Sequence, residues 1–390
     1  MSRSASPREP RRPRIALLGS RGIPARYGGY ETLMEELSPR LVERGFDVTV
    51  YCRSHYADRR VREHRGVRLT VLPTLRTKHF DTPVHTLLSA LHAALRRYDA
   101  ALMVNAANAL FVPLLRLAGI PTALHVDGFE QQRAKWGAFG RWVYRISERL
   151  ACRLPTELVT DAEVIQRHFL ERRGAPSTMI PYGVEPAAPV ARAVLARLGL
   201  APRGFVLYVS RFEPENNPHR VVSAYRDVSG STPLVMVGDA PYARSFIAEL
   251  RERADDRVVF PGAVYGDGYR ELLGAAQVYV HATEVGGTHP ALVEAMGYGN
   301  CIVVHDTPEN REVAGDAALY FDVRRPGSLA RELTRVLDDP QLAARLREAA
   351  QLRAKERFSW ESVTDRYVRL FERLAKRERP TPPSPRVGPE

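Results

Sequence analysis

The chain has 390 residues, 44% hydrophobic and 26% charged, the balance of a folded globular protein, and its length calls for two domains of about 150–200 residues. A net charge of +12 favours anionic partners such as phosphorylated substrates or anionic lipid. No run reaches the roughly 18 uncharged apolar residues of a membrane span, and the Arg/Pro/Ser-rich start lacks the apolar stretch of a secretory signal, so the sequence reads as cytoplasmic.

Residues 1–13 and 377–390 read as disordered tails that cannot bury a core. The body opens at Arg14-Ile-Ala-Leu-Leu-Gly19, an apolar run that predicts a buried parallel strand. A loop with Gly22, Pro24, Gly28 and Gly29 follows, then an amphipathic helix over 31–44 with Leu33, Leu37 and Leu41 on one face. Further strands are expected at 47–52, 68–72, 100–104 and 122–126, the last closing the first set. The cysteines, Cys52, Cys152 and Cys301, are too scattered for a disulfide framework or a zinc site and read as buried small hydrophobes.

The pattern loosens between Tyr182 and Arg203, with Pro186, Pro189 and Pro202. A second strand–helix series then runs through 205–210, 234–237, 258–260, 278–281 and 301–305. Strands alternating with helices predict two α/β, Rossmann-like, doubly wound parallel-sheet domains, at 14–185 and 203–359, joined by a linker at 186–202. A last helix over 360–376 carries Val363, Tyr367, Leu370, Phe371 and Leu374 as its apolar stripe. In open parallel sheets, ligands bind beyond the carboxyl ends of the strands, so polar and glycine residues there are the candidates.

The first glycine loop combines free backbone amides at a helix start with Arg21 and Arg26, a fit for an anion near Gly28 and Gly29. It is not the dinucleotide fingerprint G-x-G-x-x-G, and the second strand ends without a carboxylate for a ribose, which counts against a dinucleotide enzyme. Asn105 and Asn108 follow a strand and suit sugar hydroxyls or helix capping. His125 ends another strand, where an imidazole can hydrogen-bond a ligand or stabilise charge. Asp127 and Glu130, just beyond, are candidates to activate an acceptor.

In the second domain, Arg211 stands at a strand end where its fork matches phosphate oxygens. Then His281-Ala-Thr-Glu284-Val-Gly286-Gly287-Thr288-His289-Pro runs from a strand through a tight turn into a helix. Proline at the first helical position fits, and phosphate can sit on that helix N-terminus. Glu294, one turn in, can accept from a ribose diol.

Together the Gly28-Gly29-Tyr-Glu31 loop, Arg211, Glu294-Ala-Met-x-x-Gly and Phe358-Ser-Trp360 resemble a family 4 retaining glycosyltransferase of the GT-B fold, from Arg14 to about Leu374. The resemblance implies two domains facing a cleft, nucleotide binding mainly in the second, acceptor binding mainly in the first, and a last helix crossing back. It also implies front-face transfer with retention of configuration. Gly-Ser-Arg-Gly-Ile-Pro-Ala-Arg-Tyr-Gly-Gly, His125-Val-Asp127-Gly-Phe-Glu130 and Glu-Val-Gly-Gly-Thr further resemble bacterial rhamnosyltransferases of cell-wall and capsular polysaccharide assembly, which implies dTDP-rhamnose as donor. Two positions depart from the family. Asn216 stands where Lys is usual, leaving Arg21 or Arg26 to supply that charge. The family's second glutamate would fall at Gly286, and Glu284 stands two residues earlier.

The absence of an Asp-x-Asp motif predicts a metal-independent reaction without a cofactor, in which cations and the helix N-terminus stabilise the leaving diphosphate. Arg141, Arg145, Arg149 and Arg153, behind Trp136, Phe139 and Trp142, form a basic helix suited to anionic lipid, as a lipid-linked saccharide acceptor would require. A UDP- or GDP-hexose donor, or a sugar-nucleotide epimerase or phosphorylase on the same fold, is an alternative. A basic nucleic-acid or lipid module is another, and no recognition-helix, RNP or zinc signature supports nucleic acid.

Overall fold

The computed structural model describes residues 11–26, 28–77, 80–128, 138–185, 193–240 and 244–378. Contacts divide the chain into two compact units: one reaches to His125 and adds Ser147–Leu158 and the chain from Thr364 on, and the other holds Val126–Ile146 and Val159–Val363.

The first sheet contains β1 (Arg14–Leu18), β2 (Asp47–Arg53), β3 (Glu63–His64), β4 (Val67–Leu72), β5 (Ala100–Val104), β6 (Thr122–Val126), β7 (Glu157–Thr160) and β8 (Thr178–Met179). Their order is β3-β4-β2-β1-β5-β6-β7-β8. The set therefore does not close at β6 as expected. Glu157-Leu-Val-Thr160 is too short and polar at both ends to announce β7, and two-residue strands such as β3 and β8 leave no periodicity. β3 pairs antiparallel with β4 at the edge; β1 pairs parallel with both β2 and β5. Ile15, Ala16, Leu17 and Leu18 are all fully buried, as a central strand covered on both faces requires.

The intervening helices are α1 (Gly29–Glu43), α2 (Asp81–Ala94), α3 (Val112–Leu117), α4 (Ala138–Ala151) and α5 (Glu163–Arg173). Leu33, Leu37 and Leu41 of α1 are buried, the face its spacing announces.

The second sheet is β11-β10-β9-β12-β13-β14, with β9 (Val206–Val209), β10 (Leu234–Val237), β11 (Val258–Gly262), β12 (Val278–His281), β13 (Cys301–His305) and β14 (Ala318–Phe321). Every pairing within it is parallel. Side chains alternate between two cores: Leu207, Val235, Tyr279 and Ile302 pack with Leu292 and Met296, while Val206, Tyr208, Met236 and Val280 pack with Val221 and Leu333. Each such leucine or valine, fully buried, contributes about 1.5–3 kcal/mol. The helices are α6 (Ala193–Leu198), α7 (Pro218–Tyr225), α8 (Arg244–Arg253), α9 (Asp267–Ala275), α10 (Pro290–Gly297), α11 (Pro308–Ala314), α12 (Ser328–Asp338) and α13 (Pro340–Arg357); α14 (Trp360–Lys376) follows and belongs to the first unit from Thr364 on. The stripe Val363, Tyr367, Leu370, Phe371 and Leu374 of α14 is buried.

In each sheet the strand order reverses once, between β1 and β5 and between β9 and β12. The carboxyl ends flanking these two points are the ligand crevices of such sheets.

Candidate active site

In the first unit the loop after β1 lies at its sheet's reversal point. Gly22 is forced by φ +114° and by Cys52, whose Sγ would stand 2.5 Å from any Cβ there. Gly28 caps α1 without a side-chain bond, and Gly29 opens it. Glu31 reaches back to accept from the Arg21 N–H at 2.8 Å, and Glu35 accepts from Ala25 N–H. Burial raises Glu31 above the usual carboxylate range, offset by that bond and by the Arg21 and Arg53 charges. Arg21 therefore sits where its backbone is fixed by the helix it precedes.

Asn105 caps the turn after β5 by accepting from the Ala107 N–H at 2.9 Å. Asn108 is buried, and its amide donates to the carbonyls of Val104 and Gly19. Asn108 thus ties the turn after β5 to the loop after β1, while Asn105 shapes its own turn.

His125 is fully buried at the end of β6. Its Nδ1 shares a 2.7 Å hydrogen bond with the Tyr367 hydroxyl of α14, and Tyr30 of α1 meets its ring edge-on at 5.9 Å. Burial lowers its pKa to about 3, so the imidazole is neutral at physiological pH. In that form it can hydrogen-bond a ligand.

In the second unit, Arg211 follows β9, partly exposed, with its guanidinium 3.7 Å from Glu213. Asn216, at the position of the family's usual lysine, is buried and turns inward, its amide donating to the Arg211 carbonyl at 2.7 Å. It shapes the Arg211 turn and offers no charge. Next to it both carboxylate oxygens of Glu215 are buried without a hydrogen-bond partner among the described residues. Glu284, after the adjacent β12, donates its N–H to the Glu215 carbonyl and approaches Arg324 at 4.0 Å. It lines a crevice of about 410 Å³ with His305, Asp306, Asp322 and Arg324.

The Gly286-Gly287-Thr288 turn is gripped from the other side. The Gly287 N–H donates to the Asp127 carbonyl at 3.0 Å, and the Thr288 N–H to Asp161 Oδ2 at 2.9 Å. Thr288 Oγ1 donates to the Asp161 carbonyl at 2.5 Å. Asp161 lies so close to Gly287 that a Cβ there would collide with its carboxyl group. Burial first, then repulsion from Asp127 and Glu312, hold Asp161 well above the usual carboxylate range. Since these two amides are already bonded, Pro290 has no N–H, and the Leu292 and Val293 N–H groups donate to the His289 carbonyl, the Ala291 N–H is what the first turn of α10 leaves for an anion. His289 is the N-cap residue, 4.8 Å from His281 between ring centroids. Glu294 accepts from the Tyr269 hydroxyl at 2.6 Å, and burial and the Glu294 charge keep that hydroxyl protonated.

Asp127, Arg211, Asn216, Glu284, Gly286, Gly287, Thr288, His289 and Glu294 thus share the second unit, while Arg21, Gly28, Gly29, Asn105, Asn108 and His125 share the first. Glu130 lies outside the described residues. Asp161 and Tyr269 escaped the sequence reading. A polar residue just past β7 was the available signal for Asp161, but β7 itself was not seen; a tyrosine inside α9 carries no signal.

Two family matches coincide with this arrangement. Residues 28–183 match the family described as "Glycosyl transferase 4-like domain", and residues 198–353 match "Glycosyl transferases group 1". The two matches fall on the first and the second strand–helix series. It is 26% identical over 187 residues to O-antigen chain mannosyltransferase B of Escherichia coli, covering 46% of this chain and 49% of that protein. It is 29% identical over 280 residues to a GDP-mannose-dependent alpha-mannosyltransferase of Mycobacterium tuberculosis, covering 66% and 69%. The first match thus spans about half of its relative's length. The sucrose-phosphate synthase of Thermosynechococcus elongatus superposes with a TM-score of 0.80 at 20% identity, covering 94% of this chain and all of that one. The chain therefore has the GT-B fold.

Proposed function

We propose that the chain transfers a glycosyl group from a nucleoside diphosphate sugar to a saccharide acceptor, with retention of configuration and without a metal ion. The observation that carries this reading is the convergence of Arg211, the first turn of α10 and Glu294 on the reversal point of the second sheet, within the stretch that matches the group 1 family. Arg211 and the α10 N-terminus meet the diphosphate, supplying charge stabilisation that costs no reorganisation as the bond to the sugar breaks. Glu294, oriented by Tyr269, accepts from the ribose hydroxyls. Glu284 bonds the sugar. His125, neutral, hydrogen-bonds rather than neutralises, and Asp127 and Glu130 remain the candidates for the acceptor side. Asn105 and Asn108 act as loop supports.

The mannosyltransferase relatives favour a mannosyl donor such as GDP-mannose. A second reading, L-rhamnose from dTDP-rhamnose, is supported by the Gly19–Gly29 loop sequence. The acceptor is proposed to be lipid-linked, in cell-envelope polysaccharide synthesis. The exposed Arg145, Arg149 and Arg153 with Trp142 on and beyond α4 support contact with an anionic surface; the side chains of Arg141 and Phe139, and all of Trp136, lie outside the described residues. Among the described residues no helix is long and apolar enough to cross a membrane.

The assay is donor turnover in EDTA with GDP-mannose, dTDP-rhamnose and UDP-glucose, with and without a lipid-diphosphate saccharide. Acceptor-dependent release of one nucleotide is expected, and Arg211→Ala should lower kcat by about 10²-fold or more. Turnover restored only by added Mg²⁺, or an Arg211→Ala enzyme as fast as wild type, would overturn the corresponding part of the mechanism.

A further inference from the structure

Helix α2 is inverted relative to an ordinary surface helix. Its buried side carries His85, Thr86 and Ser89 beside Ala90 and Ala93. The hydroxyls of Thr86 and Ser89 have no hydrogen-bond partner among the described residues. Its outer side carries Leu87, Leu91 and, at the C-cap, Leu95, which are 38%, 44% and 86% exposed and four residues apart, so they form one stripe. Phe80, just ahead of α2, is exposed as well. The neighbouring α3 and the turn before it add exposed Leu117 and Leu110. Single exposed leucines need no explanation, but a stripe on two adjacent helices does.

The rim of this face is basic. Arg96 and Arg97 follow Leu95, and Arg116 precedes Leu117; all three are exposed. Among the described residues no carboxylate pairs with Arg96 or Arg97, and the nearby Asp99 is engaged by Arg11 at 2.5 Å. Arg116 donates to the Leu154 carbonyl and has no carboxylate partner among the described residues.

We propose that the outer face of α2 and α3 docks this unit on an anionic lipid surface, the leucines entering the acyl boundary and Arg96, Arg97 and Arg116 meeting headgroup phosphates. An apolar stripe edged by arginines is the pattern that lies in a membrane interface, and each arginine adds its own attraction there. A second copy of the chain fits less well, because a two-fold pairing of this face would set the same unneutralised arginines near their counterparts. The inference does not depend on the donor or acceptor of the reaction.

The test is co-sedimentation of the full chain with phosphatidylglycerol-containing and with pure phosphatidylcholine vesicles. Wild type should bind the anionic vesicles and release with salt. The double variant Leu91→Gln/Leu95→Gln should lose about tenfold or more in partitioning, and Arg96→Gln/Arg97→Gln should weaken binding and flatten its salt dependence. Arg145→Gln/Arg149→Gln is the control for α4. All positions are exposed, so unchanged thermal midpoints will verify folding. Wild-type partitioning by the leucine variant, or a loss confined to the α4 control, overturns the proposal. So does a solution dimer that the leucine variant converts to monomer, which would assign the face to a second copy.

Discussion

Asp161 shows how much a single buried carboxyl group can organise. It accepts from the Thr288 N–H, packs against Gly287 where a side chain cannot fit, and is pushed upward in pKa by burial and by Asp127 and Glu312. A carboxyl group whose folded pKa is raised contributes stability that is full below the ordinary value of about 3.9 and is lost as pH rises toward the raised one. Asp161→Asn keeps an acceptor for Thr288 and removes the titration, so its unfolding free energy should fall less with rising pH than that of wild type, with kcat/KM within a few-fold. Asp161→Ala should cost at least about tenfold in kcat/KM, because the turn loses its anchor. Parallel pH–stability curves for wild type and Asp161→Asn would contradict this account. His125 titrates in the opposite sense: its lowered pKa of about 3 makes the folded state lose stability as pH falls below about 6.5. His125→Asn should remove that acid loss.

The elements show which parts of such a chain are readable. Strands with four or more apolar residues in a row, β1, β5 and β13 among them, were legible, as were the glycine-to-helix junctions before α1 and α10, because burial on both faces and close backbone approach leave few residue types open. β7 was not, being four residues with charged and polar ends. With β7 unseen, Asp161 beside the Gly286–Thr288 turn could not be read either, since its contact joins positions more than a hundred residues apart. Asn216 was legible as a departure but not in its consequence: only the fold shows its amide turned onto the Arg211 carbonyl. The turn before α10 gives an element-level prediction. Gly287→Ala must displace either the turn or Asp161, so nucleotide affinity should fall about tenfold or more while the cores on either face of the second sheet stay intact. Titration of the variant with nucleotide, beside its thermal unfolding, separates the two effects.

Across the whole molecule, two doubly wound sheets each present a loop-rich reversal point, and a surplus of twelve positive charges suits substrates that carry phosphate. In the proposed reaction the second unit's reversal point holds a nucleoside diphosphate without metal. Isothermal titration of the chain in EDTA with GDP, UDP and dTDP tests it most directly. The account predicts saturable binding of at least one of the three, lost on Arg211→Ala and weakened by rising salt. Wild-type protein that binds none of them in EDTA, or binds only when Mg²⁺ is restored, would contradict it.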